Sequence, residues 1–310
     1  MVTRLSAISV DLDSLPHYCR IQGLPESILS DEARALVARV AIPRFLELFD
    51  GKPATFFVVG NDLKLPGMER ALRDAVAAGV ELASHSHSHA YELSRWGQAE
   101  IESDLRRCDE ALRSLGVEVG GFRAPGYTLS SSLLKAVAAL GYEYDSSTFP
   151  ATPYYLAKAG VMGALAALRR PSRAILDSPR VLLAPRTPYR PSLDAPYTRG
   201  DAPLVELPMA VGPVTRLPFI GTFATSLPWP LVEATFRTLR RDAFFNFELH
   251  AVDVCDESDG IPPELVRQQR DLRVPVREKM KRLRALFGWL GEDRQRVTVL
   301  DAARALRSSL

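Results

Sequence analysis

Seven or eight short apolar runs, spaced by stretches of helical periodicity and mostly closed by a polar or charged residue, leave few architectures open to this chain. The runs fall at 5–11, 54–59, 80–83, 121–123, 142–145, 204–207, 244–250 and 297–300. Between them the spacing predicts helices over 31–49 with Asp31 as N-cap, over 67–78, about 98–115, 130–140, 230–241 and 275–290, and a last helix near the end. Such alternation builds a parallel sheet, because each helix carries the chain back to start the next strand in the same direction. The rhythm breaks between 151 and 203, where an apolar helix over 154–169 precedes the Pro- and Arg-rich stretch LLAPRTPYRPSLDAPYTRG. A single α/β barrel-like domain over 1–310, with 151–203 as an insertion or lid, fits this order better than two domains.

Charge and hydropathy narrow the partners. A hydrophobic fraction of 46% with 25% charged residues excludes disorder and coiled coil, and a net charge of +2 speaks against nucleic acid. The longest apolar run, 159–168, is about half of the roughly 18 residues that a membrane span needs. The start, MVTRLSAISVDLD, reaches two acids too soon to hold a signal h-region, so a cytoplasmic location is expected. Three widely separated cysteines, Cys19, Cys108 and Cys255, form no CxxC and are expected to be reduced; Cys19 and Cys255 read as packing residues.

The polar residues that end the runs carry the chemistry. In parallel α/β folds reactive groups collect where strands end, because the loops there vary without disturbing the core. His85 and His89 are four apart, a spacing that lets two imidazoles face one cation on a turn, and Asp13 can add a carboxylate; two nitrogens and one oxygen leave a position open for water. The same SHSHSH segment is also readable as a polar loop, and His87 would point away from its neighbours. Asp11 and Asp13, one residue apart, can share a side of the strand end, one toward a metal and one toward the water; as turn or capping acids they would do neither. Arg123 stands beside a rigid Pro-Gly turn in FRAPGY, where it can orient a carboxylate or simply form a salt bridge, while turn amides can face an oxyanion. His250 ends an apolar strand and is a candidate acid or a satisfied core residue, with Glu248 able to share its face.

Together these residues resemble the polysaccharide deacetylase superfamily, the NodB-homology or carbohydrate esterase family 4 type, over about 5–150 and 204–300. PATFFVVG at 53–60 is similar to the family's second-strand segment, AAGVELASHSHSH at 77–89 to its H-[ST]-x-x-H motif, FRAPGY to its R-x-P motif and ELH at 248–250 to its late Leu-x-His motif. Three features depart from the pattern, one being that Gly126 delays the aromatic of the R-x-P-[YFW] motif to Tyr127. Leu12 separates Asp11 from Asp13 where the family usually has adjacent aspartates, a D-x-D start similar to the branch with cytoplasmic deformylases and amide hydrolases as well as some peptidoglycan deacetylases. The family's Asp-x-Trp motif is absent, and YDSS at 144–147 stands in its region.

The resemblance implies a distorted (β/α) barrel of about seven strands and a hydrolase of C–N bonds other than peptide bonds. It implies that Asp13, His85 and His89 hold a divalent cation, zinc by expectation with Co2+, Mn2+ or Ni2+ as alternatives. Asp11 becomes the base, kept oriented and ionised by Arg123; His250 gives the proton to the leaving amine; Pro125, Gly126 and Tyr127 form the oxyanion and substrate-binding turn, with the amide of Gly126 or Tyr127 as donor. Asp145 becomes the partner of His250. The expected reaction is N-deacetylation or deformylation of an amino sugar, polysaccharide or lipid-linked sugar. Two alternatives stand beside it: a ureide or formamide amidohydrolase, and a metal-dead carbohydrate-binding protein. The 154–168 stretch with Arg169, Arg170 and Arg173 could rest on the inner membrane surface or pack as a lid. Substrate, acyl group and oligomeric state stay open.

Overall fold

In the computed structural model residues 4–167 and 175–310 are described, so Arg169, Arg170 and Arg173 lie outside the described residues. Eight strands, β1 Leu5–Asp11, β2 Ala54–Val58, β3 Val80–Ser84, β4 Gly121–Phe122, β5 Tyr144–Asp145, β6 Val205–Glu206, β7 Phe244–His250 and β8 Gln295–Val297, form one sheet. All pairings are parallel, in the order β6-β5-β4-β3-β2-β1-β7, with β8 against the first half of β1. The sheet curls into a half-barrel whose open side is bridged by polar contacts. The Ala210 amide donates to the Asn246 carbonyl at 3.0 Å, and Asn246 Nδ2 donates to the Leu207 carbonyl and to Ser146 Oγ, each at 2.9 Å.

Side chains alternate across a strand, so each strand writes two sequences at once. On β1, Ile8 and Val10 join the large core beneath the helices, whereas Leu5 and Ala7 join a smaller inner cluster with Phe57, Ala83, Tyr144 and Phe244. The remaining residues of the same inward row are Ser9 and Asp11, and on β7 the row runs Phe244, Asn246, Glu248, His250. The interior thus has an apolar floor and a polar mouth at the C-terminal strand ends. Register pairs Ser9 with Glu248 and Asp11 with His250, bringing the polar ends of the two rows together.

Helix and strand positions follow the expected rhythm with three differences. The segment 31–49 is broken into helix Asp31–Arg34, a π segment Val37–Ala41 and helix Ile42–Phe49. Pro43, in the first turn of the last piece, has no N–H to continue the ladder, and the wider π turn absorbs the mismatch. The cap is Ser30, whose hydroxyl accepts the Ala33 amide at 3.2 Å; Asp31 is the first helical residue instead. Helices Leu15–Gln22, Gly221–Ser226 and Pro263–Gln268, too short and mixed to show a period, answer to none of the expected ones. In the 151–203 segment, helix Thr152–Ala167 contributes Tyr154 to the mouth of the barrel, and its Leu156 and Val161 are each 61% exposed.

Candidate active site

The loop after β3 brings His85 and His89 to the barrel mouth. Extended backbone would alternate the side chains of SHSHSH, but Ser86 and His89 adopt positive φ (64° and 54°), which curls the loop so that both rings face one point. Ser86 Oγ accepts the His89 amide at 3.0 Å, and the buried Asp104 carboxylate accepts the amides of His87 (2.8 Å) and Ser88 (3.1 Å). His87 is turned the other way, against Arg107 (Nε2 2.9 Å from the guanidinium) and against Gly60, where a Cβ would lie 2.8 Å from the ring. Glycine is required there.

The rings of His85 and His89 meet Asp13. Asp13 Oδ1 lies 3.1 Å from His89 Nε2 and 3.4 Å from His85 Nε2, and the three ligand atoms all lie within 4.8 Å of one another. Asp13 Oδ1 and His89 Nε2 are buried yet have no hydrogen-bond partner, so their lone pairs converge on a shared point rather than on each other. His85 Nδ1 sits 2.8 Å from the Arg123 carbonyl and donates to it, which leaves Nε2 as the free lone pair of that ring. Burial alone would raise the Asp13 carboxyl, but the facing rings of His89 and His85 hold it well below the usual carboxylate range. Burial lowers His89 to about 4 against the pull of Asp13, which keeps its ring neutral, the form that ligates. Two imidazole nitrogens and a carboxylate oxygen fit a divalent cation of the zinc type.

Asp11 stands beside this trio, with Oδ2 buried, unpartnered and 3.9 Å from His85 Nε2. Its other oxygen accepts from Arg123 at 2.6 Å. Arg123 is fully buried: its guanidinium also donates to the Ser146 carbonyl (2.9 Å), Ser146 Oγ (3.0 Å) and Ser9 Oγ (2.9 Å) and lies 4.0 Å over the Phe57 ring. Beyond Arg123 the chain turns at Pro125, with Gly126 and Tyr127 both at positive φ (64° and 61°). The Tyr127 amide is committed to the Ala124 carbonyl at 3.0 Å, which leaves the Gly126 amide as the candidate oxyanion donor. A Cβ on Gly126 would lie 2.7 Å from the Tyr91 ring.

His250 faces the same space across the barrel, its Nε2 3.1 Å from the Tyr127 hydroxyl and its Nδ1 3.0 Å from Glu248 Oε1. Burial would lower its pKa, but Glu248, Asp11, Asp13 and Asp253 together push it up to about 9. Asp145, expected at His250, is not there. It accepts Ser147 Oγ at 2.7 Å, and Ser147 Oγ in turn accepts the Ala124 amide at 2.8 Å, so Asp145 braces the Arg123–Tyr127 turn; burial raises its pKa. Glu248, two residues before His250 on the same strand face, occupies the place instead.

Asp11, Asp13, His85, Gly126, Tyr127 and His250 line one cavity of about 380 Å³, walled on its other side by Tyr91, Tyr154, Ile220 and Phe223. The apolar wall carries no motif, and sequence reasoning did not find it. It also left out His17, the one histidine away from a strand end. His17 Nε2 contacts both Asp62 oxygens at 2.9 Å, and its ring lies 4.4 Å from that of His89.

A parallel half-barrel carries its carboxylate–histidine cluster at the C-terminal mouth, where barrel folds collect their polar groups. Residues 41–144 match the Polysaccharide deacetylase family model, a stretch that holds His85, His89 and the Arg123–Tyr127 turn; Asp11, Asp13 and His250 join from outside it through the fold. A putative polysaccharide deacetylase from Mycobacterium smegmatis is similar in structure over 99% of this chain and 92% of its own, with a TM-score of 0.63 and 20% identity. A family 4 acetyl xylan esterase from Clostridium thermocellum, in complex with a cobalt ion, covers 98% of this chain and 92% of its own at a TM-score of 0.49 and 14% identity. No curated protein matches the chain. The fold is that of the NodB-type (β/α) barrel, and the resemblance drawn from the motifs is borne out. Among the described residues no helix is long and apolar enough to cross a membrane.

Proposed function

We propose that this chain is a single catalytic domain, with 151–203 inserted, that hydrolyses an amide C–N bond by removing an acetyl or formyl group from an amino sugar or a polymer or lipid-linked form of one. The observation that carries this reading is one cavity lined by Asp11, Asp13, His85 and His250, with His89 joined to the Asp13–His85 cluster and Arg123 paired with Asp11. Asp13, His85 and His89 would hold the divalent cation, zinc or a similar ion. When bound, such a cation polarises an acyl carbonyl and brings the pKa of a water near neutrality. Asp11 takes the proton of the attacking water, and Arg123 keeps that carboxylate ionised and aimed. The Gly126 amide donates to the developing oxyanion. His250 delivers a proton to the leaving nitrogen as the C–N bond breaks.

Acetate or formate release from a panel of N-acylated sugars, with and without added Zn2+ or Co2+, tests this directly. Release abolished by Asp11→Asn is expected. Release only from ureides or formamides supports the first alternative, and sugar binding without hydrolysis in the presence of metal supports the binding-protein reading. We place the protein in the cytoplasm, where Leu156 and Val161 of helix Thr152–Ala167, each 61% exposed, could touch the inner membrane surface. Co-sedimentation with anionic vesicles, reduced by Leu156→Glu with Val161→Glu, is the expected outcome; equal sedimentation removes the membrane reading.

A further inference from the structure

We propose that Glu248 is the positioning residue of the proton donor, holding the His250 imidazole by Nδ1 so that Nε2 faces the cavity. This rests on the amide-hydrolase reading of the site and goes beyond it, because the motif comparison pointed to Asp145 for that task.

The placement follows from the strand. Glu248 and His250 are two apart on β7 and share the inward face, and Glu248 Oε1 is 3.0 Å from Nδ1. Glu248 is fully buried, and neither of its oxygens has a hydrogen-bond partner. A buried carboxylate without partners is strongly unfavourable for a core, so the fold gains nothing from it unless a cation faces it. Two cations are near: Arg123, engaged by Asp11, Ser9 and Ser146, and the imidazolium of His250. The groups around His250 are Asp11 and Asp13 from the first strand end, Glu248 on its own strand, Asp253 after it, and Arg123 and Tyr127 opposite.

Glu248 Oε1 at 3.0 Å from Nδ1 and Asp11 across the strand register both face His250 and favour its charged form, the form an acid needs. In the reaction the proton on Nε2 passes to the leaving nitrogen as its bond to the acyl carbon breaks, and neutral His250 keeps its Nδ1 proton on the side that faces Glu248. Asp11, which has taken a proton from water, is the register partner of His250, so that proton can return along the pair and restore both groups.

The test needs no substrate. In metal-free protein with isotope-labelled histidine, the His250 ring, assigned by its loss in His250→Gln, is titrated by NMR in wild type, Glu248→Gln and Glu248→Asp. Glu248→Gln is expected to lower the midpoint by about one unit or more, as removal of an opposite charge within a few ångström does. Glu248→Asp should fall between the two, and it serves if the Gln variant does not fold. Metal content should stay at the wild-type value in both. A midpoint unchanged in Glu248→Gln overturns the proposal even if the protein proves to be an amide hydrolase. A failed hydrolase assay with a shifted midpoint overturns the functional reading and leaves the positioning intact.

Discussion

Replacing Arg123 by Met is the most demanding single perturbation of this interior, because it separates a structural loss from a chemical one. The guanidinium is fully buried and makes four hydrogen bonds, the shortest at 2.6 Å to Asp11. Met fills most of the volume and keeps contact with Phe57, so the packing loss is small. What remains is a buried Asp11 with two unpartnered oxygens and no compensating cation. Removing one member of such a pair costs about 3–5 kcal/mol. Taking about 2 °C per kcal/mol, the low end for a large domain, metal-free Tm should fall by about 6–10 °C. Urea unfolding followed by circular dichroism measures the same loss at constant temperature. The double variant Arg123→Met, Asp11→Asn removes the orphan charge and should recover about 2 kcal/mol or more of it, without recovering activity. A loss below about 1 kcal/mol in the single variant, or a double variant whose losses simply add, refutes the argument that the pair is held by mutual charge.

Three further outcomes follow from the same geometry. Asp104→Ala releases the amides of His87 and Ser88 and should weaken metal affinity by about 10–100-fold, read by competition with a chelating dye, while the fold survives. Gly126→Ala forces a Cβ onto the Tyr91 ring at φ 64° and should lower kcat more than it changes KM, since it moves the candidate oxyanion amide. Burial raises the Asp177 carboxyl to about 6, although the Tyr197 hydroxyl donates to it. A folded pKa above the unfolded value near 3.9 means that ionisation works against folding. This contribution to stability therefore declines from about pH 4 to pH 6 and is level above. Asp177→Asn should remove that slope in urea midpoints measured across the window; an unchanged slope contradicts it.

The sequence made the strand ends legible because parallel sheets put chemistry there: alternation carried Asp11 and His250 to the mouth, and the loops just past the strand ends brought Asp13, His85, His89 and Arg123 beside them. Glu248 was visible as a neighbour of His250, but its role was masked by the family pattern that pointed to Asp145. What decides between them is register: β1 against β7 aligns Ser9 and Asp11 with Glu248 and His250, whereas Asp145 is paired with Glu206 and tied to Ser147. Spacing carries no register. Asp104 and His17 were invisible for a related reason, since each acts on the His85–His89 loop from a helix distant in sequence. The aromatic and aliphatic cavity wall has no polar signature to read.

Metal stoichiometry tests the central claim most directly. Protein purified without chelators, and again after dialysis against Zn2+, is measured by mass spectrometry beside His85→Ala and Asp13→Asn. One ion per wild-type chain and far less than one in both variants is the result expected from three buried ligands that converge on one point. Full metal in the variants, or none in wild type at saturating Zn2+, contradicts the account.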